Sequence, residues 1–148
     1  MRRADAAGAN PQSQGAEAMC GIYGIVSNRM GEAEIRSRLA PMGCRLRHRG
    51  PDDLREQVFE IAPAAVGLGF ARLSILDLET GMQPIQSAAD GAAIILNGQI
   101  YNYIELRRTL AGENFVSRGD AEVALHLYRR RGLDFLQELN GMYAGAIL

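Results

Sequence analysis

Cys20 directly follows Met19, and an initiator methionine can be removed when the next residue is small. Removal leaves Cys20 as the first residue, carrying a thiol and a free α-amine together. An α-amine has a pKa near ~8, so at neutral pH a useful fraction can accept the thiol proton. Nucleophile and base are then one residue, as in N-terminal threonine catalysis. The competing reading is a small buried hydrophobe at the start of a strand. Asn97-Gly98 also has two readings. It is either a hairpin turn, or an oxyanion site in which a side-chain amide and a backbone N–H aim at one point. Arg72 interrupts an apolar stretch around Phe70 and Leu73. Its guanidinium fork matches a carboxylate, of the protein or of a ligand. Asp120 follows Gly119 ahead of a helix, where it either caps the helix or binds an amine.

Other reactive side chains read as structural. His126 lies between Leu125 and Leu127 in a helix, and His48 stands in a turn where hydrogen bonding is the expected role. Cys44 reads as core, and Arg129-Arg130-Arg131 as a solvated helix end that complements the dipole. With no CxxC pair and two distant histidines, no metal site is expected.

The elements that must position these residues follow from the pattern along the chain. Gly21 to Ser27 alternates apolar residues with glycine and predicts a buried strand. Glu32 to Arg47 places Ile35, Leu39, Met42 and Leu46 at helical spacing behind an acidic first turn. His48 to Asp53 is a turn around Pro51, and Gln57–Ala62 and Ala65–Leu73 predict a strand pair. A long irregular connection over Leu76–Asp90 leads to a core strand, Ala92–Asn97, ending at Asn-Gly. Helices are predicted over Ile104–Leu110, Ala121–Arg131 with Gly132 as terminator, and Leu133–Leu139, before a strand over Met142–Leu148. Strands and helices without regular βαβ alternation favour α+β with antiparallel sheets.

Composition bounds the function. The 148 residues are 47% hydrophobic and 22% charged, as in a globular chain, with a formal net charge of −1. No basic excess exists to neutralise phosphates, so no nucleic-acid partner is expected. No apolar run approaches the ~20 residues of a membrane span, so no membrane partner is expected either. All 16 basic residues are arginine, which excludes a catalytic lysine in this segment. Two cysteines are too few for a disulfide framework and fit a reducing cytoplasmic setting. Residues 1–18, rich in Ala, Gly, Gln, Asn and Ser, read as a disordered leader or a misassigned start. The chain stops mid-strand, so 19–148 reads as an incomplete domain, with an unpaired sheet edge expected.

Five motifs then occur in order: Met19-Cys20-Gly21-Ile22, His48-Arg49-Gly50-Pro51-Asp52-Asp53, Arg72-Leu73-Ser74-Ile75, Asn97-Gly98-Gln99-Ile100-Tyr101-Asn102-Tyr103, and Leu139-Asn140-Gly141-Met142-Tyr143-Ala144. Together they resemble the N-terminal glutaminase domain of glutamine-hydrolysing asparagine synthases, a class II amidotransferase of the N-terminal nucleophile (Ntn) hydrolase type. The resemblance covers residues 19–148 and implies a four-layer αββα sandwich of two antiparallel sheets. It implies Cys20 as nucleophile and, through its amine, general base, with Asn97 and the Gly98 N–H as oxyanion hole. Arg72 would clamp the α-carboxylate of glutamine along a wall formed by Leu73, Ser74, Ile75 and Leu76. Asp120 would receive the α-ammonium. Gln99 stands where the family usually has glutamate, so a carboxylate contact becomes a weaker amide contact. Phe70 replaces a histidine common two residues before the arginine.

Glutamine would thus be hydrolysed to glutamate and ammonia through a thioester on Cys20. The ammonia would pass to a synthetase domain, absent here, that uses ATP and Mg to amidate aspartate. No cofactor is implied for residues 19–148 themselves, and homodimerisation is an open option. Two alternatives stand beside this reading: an amide-forming relative with another acceptor, or an inactive interaction module of the same fold.

Overall fold

The computed structural model describes residues 19–74, 77 and 79–148. The leader expected over 1–18, and Ile75 and Leu76 of the arginine segment, lie outside the described residues. Strand β1 (Gly21–Ser27) leads into helix α1 (Glu32–Leu46), then β2 (Asp53–Ile61) and β3 (Ala64–Arg72). A two-residue strand, β4 (Ile85–Gln86), precedes β5 (Ala93–Ile100), helix α2 (Tyr103–Thr109) and helix α3 (Asp120–Arg131). A 3-10 helix (Gly132–Gln137) and β6 (Gly141–Ile147) follow. The strands form two antiparallel sheets, ordered β1-β3-β2 and β4-β5-β6.

Side-chain alternation stacks these elements in layers. Ile35 and Leu39 of α1 are fully buried against Tyr23 and Ala65 of the first sheet. Each such aliphatic side chain contributes about 2 kcal/mol by leaving water. The helix comes close because β3 turns Ala65, Gly67 and Gly69 toward it. A Cβ at Gly67 would fall 2.4 Å from the Ile35 side chain. On the opposite face of β3, Val66 and Leu68 meet Ile95 of β5 between the sheets. Ile94, Leu96 and Ile100 face the other way from β5, into a core with Val123, Leu125 and Leu127 of α3 and Leu106 of α2. The order is helix, sheet, sheet, helices. It is the α+β four-layer sandwich expected from the sequence.

Several expectations are corrected. Strand β5 runs through Asn97-Gly98 to Ile100, paired throughout with β6, so the hairpin-turn reading falls. Strand β2 starts at Asp53 rather than Gln57, because its polar first half pairs with β3 from the sheet edge. Cys44 is exposed, not core. The residue facing the sheet is its neighbour Gly43, where a Cβ would lie 2.3 Å from the Tyr23 hydroxyl. That hydroxyl donates to Glu56 at 2.8 Å, and burial together with the carboxylate pushes its titration far up. The arginine run is not simply solvated. Arg129 is 20% exposed and pairs with Asp90 and Glu113, Arg130 with Glu113, and Arg131 with Glu138.

Candidate active site

Cys20 lies one residue before β1, directly beside the end of β3. The Leu73 N–H donates to its Sγ at 3.4 Å, and the thiol in turn reaches the Leu73 carbonyl at 3.5 Å. A thiolate would keep the N–H donor and lose only the carbonyl contact. The His48–Asp53 turn braces this strand end from behind. Gly50 sits so close that a Cβ there would fall 2.2 Å from the Ala71 carbonyl oxygen, a position only glycine can take. The Asp52 N–H donates to the Arg72 carbonyl at 3.1 Å, and its carboxylate accepts the Ser74 N–H at 2.7 Å. The turn motif thus sets the backbone on both sides of Leu73, and with it the sulfur contacts.

Across the space between the sheets, β5 presents Asn97. Its neighbour Gly98 has φ +131°, which turns the Asn97–Gly98 peptide out of the regular pleat. A side chain at Gly98 is excluded as well, because its Cβ would lie 2.1 Å from the Met142 carbonyl oxygen. The motif containing Asn97 is held to the last one by Asn102. Its carboxamide donates to the Glu138 carbonyl at 2.8 Å and accepts the Asn140 N–H at 2.9 Å.

These residues converge. A cavity of about 300 Å³ is lined by Cys20, Arg72, Leu73, Asn97, Gly98, Gln99 and Asp120. That is the small end of the range for ligand pockets, roughly 300 to 1,000 Å³. Arg72 and Asp120 are both buried, at 7% and 8% exposure, and bring opposite charges to the same cavity. The Arg72 guanidinium donates to the Asp77 carbonyl. Asp120 does not cap its helix. Gly119 holds the cap position, and the Asp120 carboxylate accepts the Ile100 N–H at 2.7 Å, locking the start of α3 to the end of β5. Ser74 is braced by Asp52 but does not line the cavity, and Ile75 and Leu76 lie outside the described residues. Neither histidine lines it. His48 bonds the Arg45 carbonyl at 2.9 Å, and buried His126 lies between Glu113 and Glu122.

Asp77, Gln83, Gly119, Tyr101 and Met142 also line the cavity and were not expected there. Asp77 takes a left-handed φ of 50°. Its carboxylate accepts the Thr80 N–H and hydroxyl, and the Arg118 N–H at 2.7 Å. Burial pushes this carboxyl up, but the Thr80 hydroxyl and the N–H groups of Thr80, Arg118 and Gly119 outweigh it and hold it low. Asp77 therefore ties Arg72, through its carbonyl, to the loop that carries Asp120. The Asp-x-x-Thr spacing is a legible turn signal. Gln83 carries no such local signal.

Residues 19–148 match the sequence family described as the glutamine amidotransferase domain. This chain belongs to that family. A Bacillus subtilis protein named asparagine synthetase [glutamine-hydrolyzing] 2 is 37% identical over 135 residues, 87% of this chain and 17% of its own length. A Methanocaldococcus jannaschii putative asparagine synthetase [glutamine-hydrolyzing] 2 is 39% identical over 144 residues, 87% of this chain and 27% of its own. Asparagine synthetase [glutamine-hydrolyzing] 3 of Arabidopsis thaliana is 36% identical over 130 residues, 88% and 22%. The chain therefore spans between 17% and 27% of the length of these relatives. A solved glutamine phosphoribosylpyrophosphate amidotransferase from B. subtilis overlaps 55% of this chain and 21% of its own, at 28% identity and a TM-score of 0.46. Among the described residues of this amidotransferase domain, no helix is long and apolar enough to cross a membrane.

Proposed function

We propose that this domain hydrolyses glutamine to glutamate and ammonia through a thioester on Cys20. The observation that supports it most is convergence. One cavity in a glutamine amidotransferase domain is lined by a thiol, an amide beside a positive-φ glycine, and a buried Arg–Asp pair of opposite charge. Arg72 suits the α-carboxylate of an amino acid, since the guanidinium fork is made for it. Asp120 suits the α-ammonium: Ile100 takes Oδ2. With both ends of the amino-acid head held, the side-chain carboxamide reaches toward Cys20.

The steps balance within the chain. The Cys20 α-amine takes the thiol proton, and the sulfur attacks the carboxamide carbon. The new oxyanion is received by the Asn97 amide and the Gly98 N–H. The α-ammonium returns its proton to the leaving nitrogen, the C–N bond breaks, and ammonia departs. Water then adds to the thioester, giving its proton to the Cys20 amine. The C–S bond breaks to release glutamate, and the Cys20 ammonium returns that proton to the departing sulfur, restoring the thiol and the free amine. All of this requires Cys20 to be the first residue, because an amide nitrogen cannot act as the base.

Losing one oxyanion donor costs on the order of 3 kcal/mol in the barrier, so Asn97→Ala is expected to lower glutaminase kcat by about a hundredfold or more. Steady-state ammonia release checks this, and unchanged turnover would remove Asn97 from the oxyanion hole. Gln99 lies exposed at the cavity. Charge-assisted contacts are roughly twice as strong as neutral ones, so Gln99→Glu is expected to tighten glutamine binding. A KM that is unchanged or higher in that variant would show that Gln99 does not meet the substrate ammonium.

For the longer protein, we infer an asparagine synthase. The ammonia would go to a synthetase portion that uses ATP and Mg to amidate aspartate, in the cytoplasm. Among the described residues no group of three or more His, Cys, Asp or Glu side chains that could hold a metal ion occurs.

A further inference from the structure

Strand β4 supports β5 through only two pairs, Ile85 with Ile94 and Gln86 with Ala93. Carried two residues further, that register sets position 83 opposite Leu96. Pro84 intervenes and has no N–H to give. The Gln83 side chain takes the place of the missing backbone rung. The Leu96 N–H donates to Gln83 Oε1 at 2.6 Å, and Gln83 Nε2 donates to the Leu96 carbonyl at 3.1 Å. A carboxamide offers the same donor and acceptor as a peptide group, so the pair copies a strand contact. Both residues are buried.

The Leu96 carbonyl belongs to the peptide plane that ends at the Asn97 nitrogen. Fixing that plane fixes the direction in which the Asn97 side chain leaves β5. From the other edge, β6 pairs Asn97 with Ala144 and Gly98 with Tyr143. We propose that Gln83 is a positioning residue: by clamping Leu96 from the edge that β4 leaves uncovered, it aims the Asn97 carboxamide at the reacting carbonyl. This rests on the reading of Asn97 as an oxyanion donor given above. Ground-state glutamine is held by Arg72 and Asp120, so Gln83 acts on turnover and not on substrate affinity.

The test measures glutamine hydrolysis by the full-length protein with Cys20 at its N-terminus. Gln83→Met keeps the volume and removes both hydrogen bonds. It is expected to lower kcat between about tenfold and a hundredfold, the usual cost of a small misplacement of a catalytic group. KM should change by less than about threefold, since uniform binding is untouched. Gln83→Asn keeps a shortened amide and should lose less kcat with the same KM; if the methionine variant does not fold, this one carries the comparison. The deciding reading is the double variant. In an Asn97→Ala background, Gln83→Met should change kcat by less than about threefold, because the group it aims is gone. Losses that multiply in the double variant, or a raised KM with kcat intact, would overturn the proposal. If Asn97→Ala alone leaves kcat unchanged, the oxyanion reading itself has failed, and this proposal with it.

Discussion

Cys20→Ala is expected to lower glutaminase kcat by on the order of 10⁴-fold or more, since loss of a nucleophile leaves only oxyanion stabilisation and binding. The effect should be confined to chemistry. Arg72 and Asp120 are set by β3 and by the Ile100–Asp120 bond, neither of which passes through the Cys20 side chain. Glutamine should therefore still bind the alanine variant, with calorimetry giving an affinity within a few-fold of the parent. The change itself is mild structurally: Cys20 is half-buried, and its sulfur hydrogen-bonds the Leu73 backbone rather than a side chain among the described residues. Turnover that survives in Cys20→Ala would move the nucleophile elsewhere and end the thioester mechanism. Cys44 does not line the cavity and offers no substitute.

Retention of Met19 is the second large expectation. General-base catalysis contributes about 10²- to 10⁴-fold, and acylating the Cys20 nitrogen removes the base entirely. Met19 also lines the cavity beside Cys20, so keeping it takes up space that the substrate needs. Protein beginning at Met19 should turn over glutamine at least about a hundredfold more slowly than protein beginning at Cys20. The pH profile carries the same signature. The base must be unprotonated, so kcat/KM of the Cys20-initiated protein should rise with pH up to the amine value near ~8 and then level. Equal rates with and without Met19 would assign the base to another group. Neither histidine lines the cavity, so neither is placed to take that role directly.

The sequence was most legible where a pattern is local. Strand β1 has the predicted bounds, and the Ile35, Leu39, Met42, Leu46 spacing gave α1 to within one residue at its end. The mix of elements gave α+β with antiparallel sheets, and the four-layer order came from the resemblance alone. Asn97-Gly98 shows the limit. An Asn-Gly pair after an apolar run signals a hairpin when only neighbours in sequence are considered. What keeps β5 going is pairing with β6, more than 40 residues away, and that partner is invisible locally. Cys44 was misplaced by one step of helical rotation, with Gly43 taking the inward position because Tyr23 fills the space above it. Asp120 was readable as a helix start but not as the acceptor for Ile100, which requires the end of β5 to lie there. Gln83 left no trace in composition or spacing, because its role depends on a register that stops two residues short.

The motifs themselves divide into residues that face the cavity and residues that hold them. Gly50 and Asp52 touch no ligand space; they set the Arg72–Ser74 backbone by close approach and two hydrogen bonds. Asn102 does the same for the loop before β6. A five-motif pattern is therefore specific because half of it encodes support for the other half. Rigid support of this kind is what keeps oxyanion donors effective, since they act only when already in place.

The central claim is that the Cys20 sulfur attacks the glutamine carboxamide, and covalent capture tests it most directly. The full-length protein would be treated with a glutamine analogue bearing a diazoketone in place of the carboxamide, then mapped by peptide mass. The account predicts a single adduct on the Cys20 sulfur, suppressed by excess glutamine, with the exposed Cys44 unmodified. An adduct on Cys44, modification of Cys20 that glutamine does not suppress, or no adduct on protein shown to begin at Cys20 would contradict it.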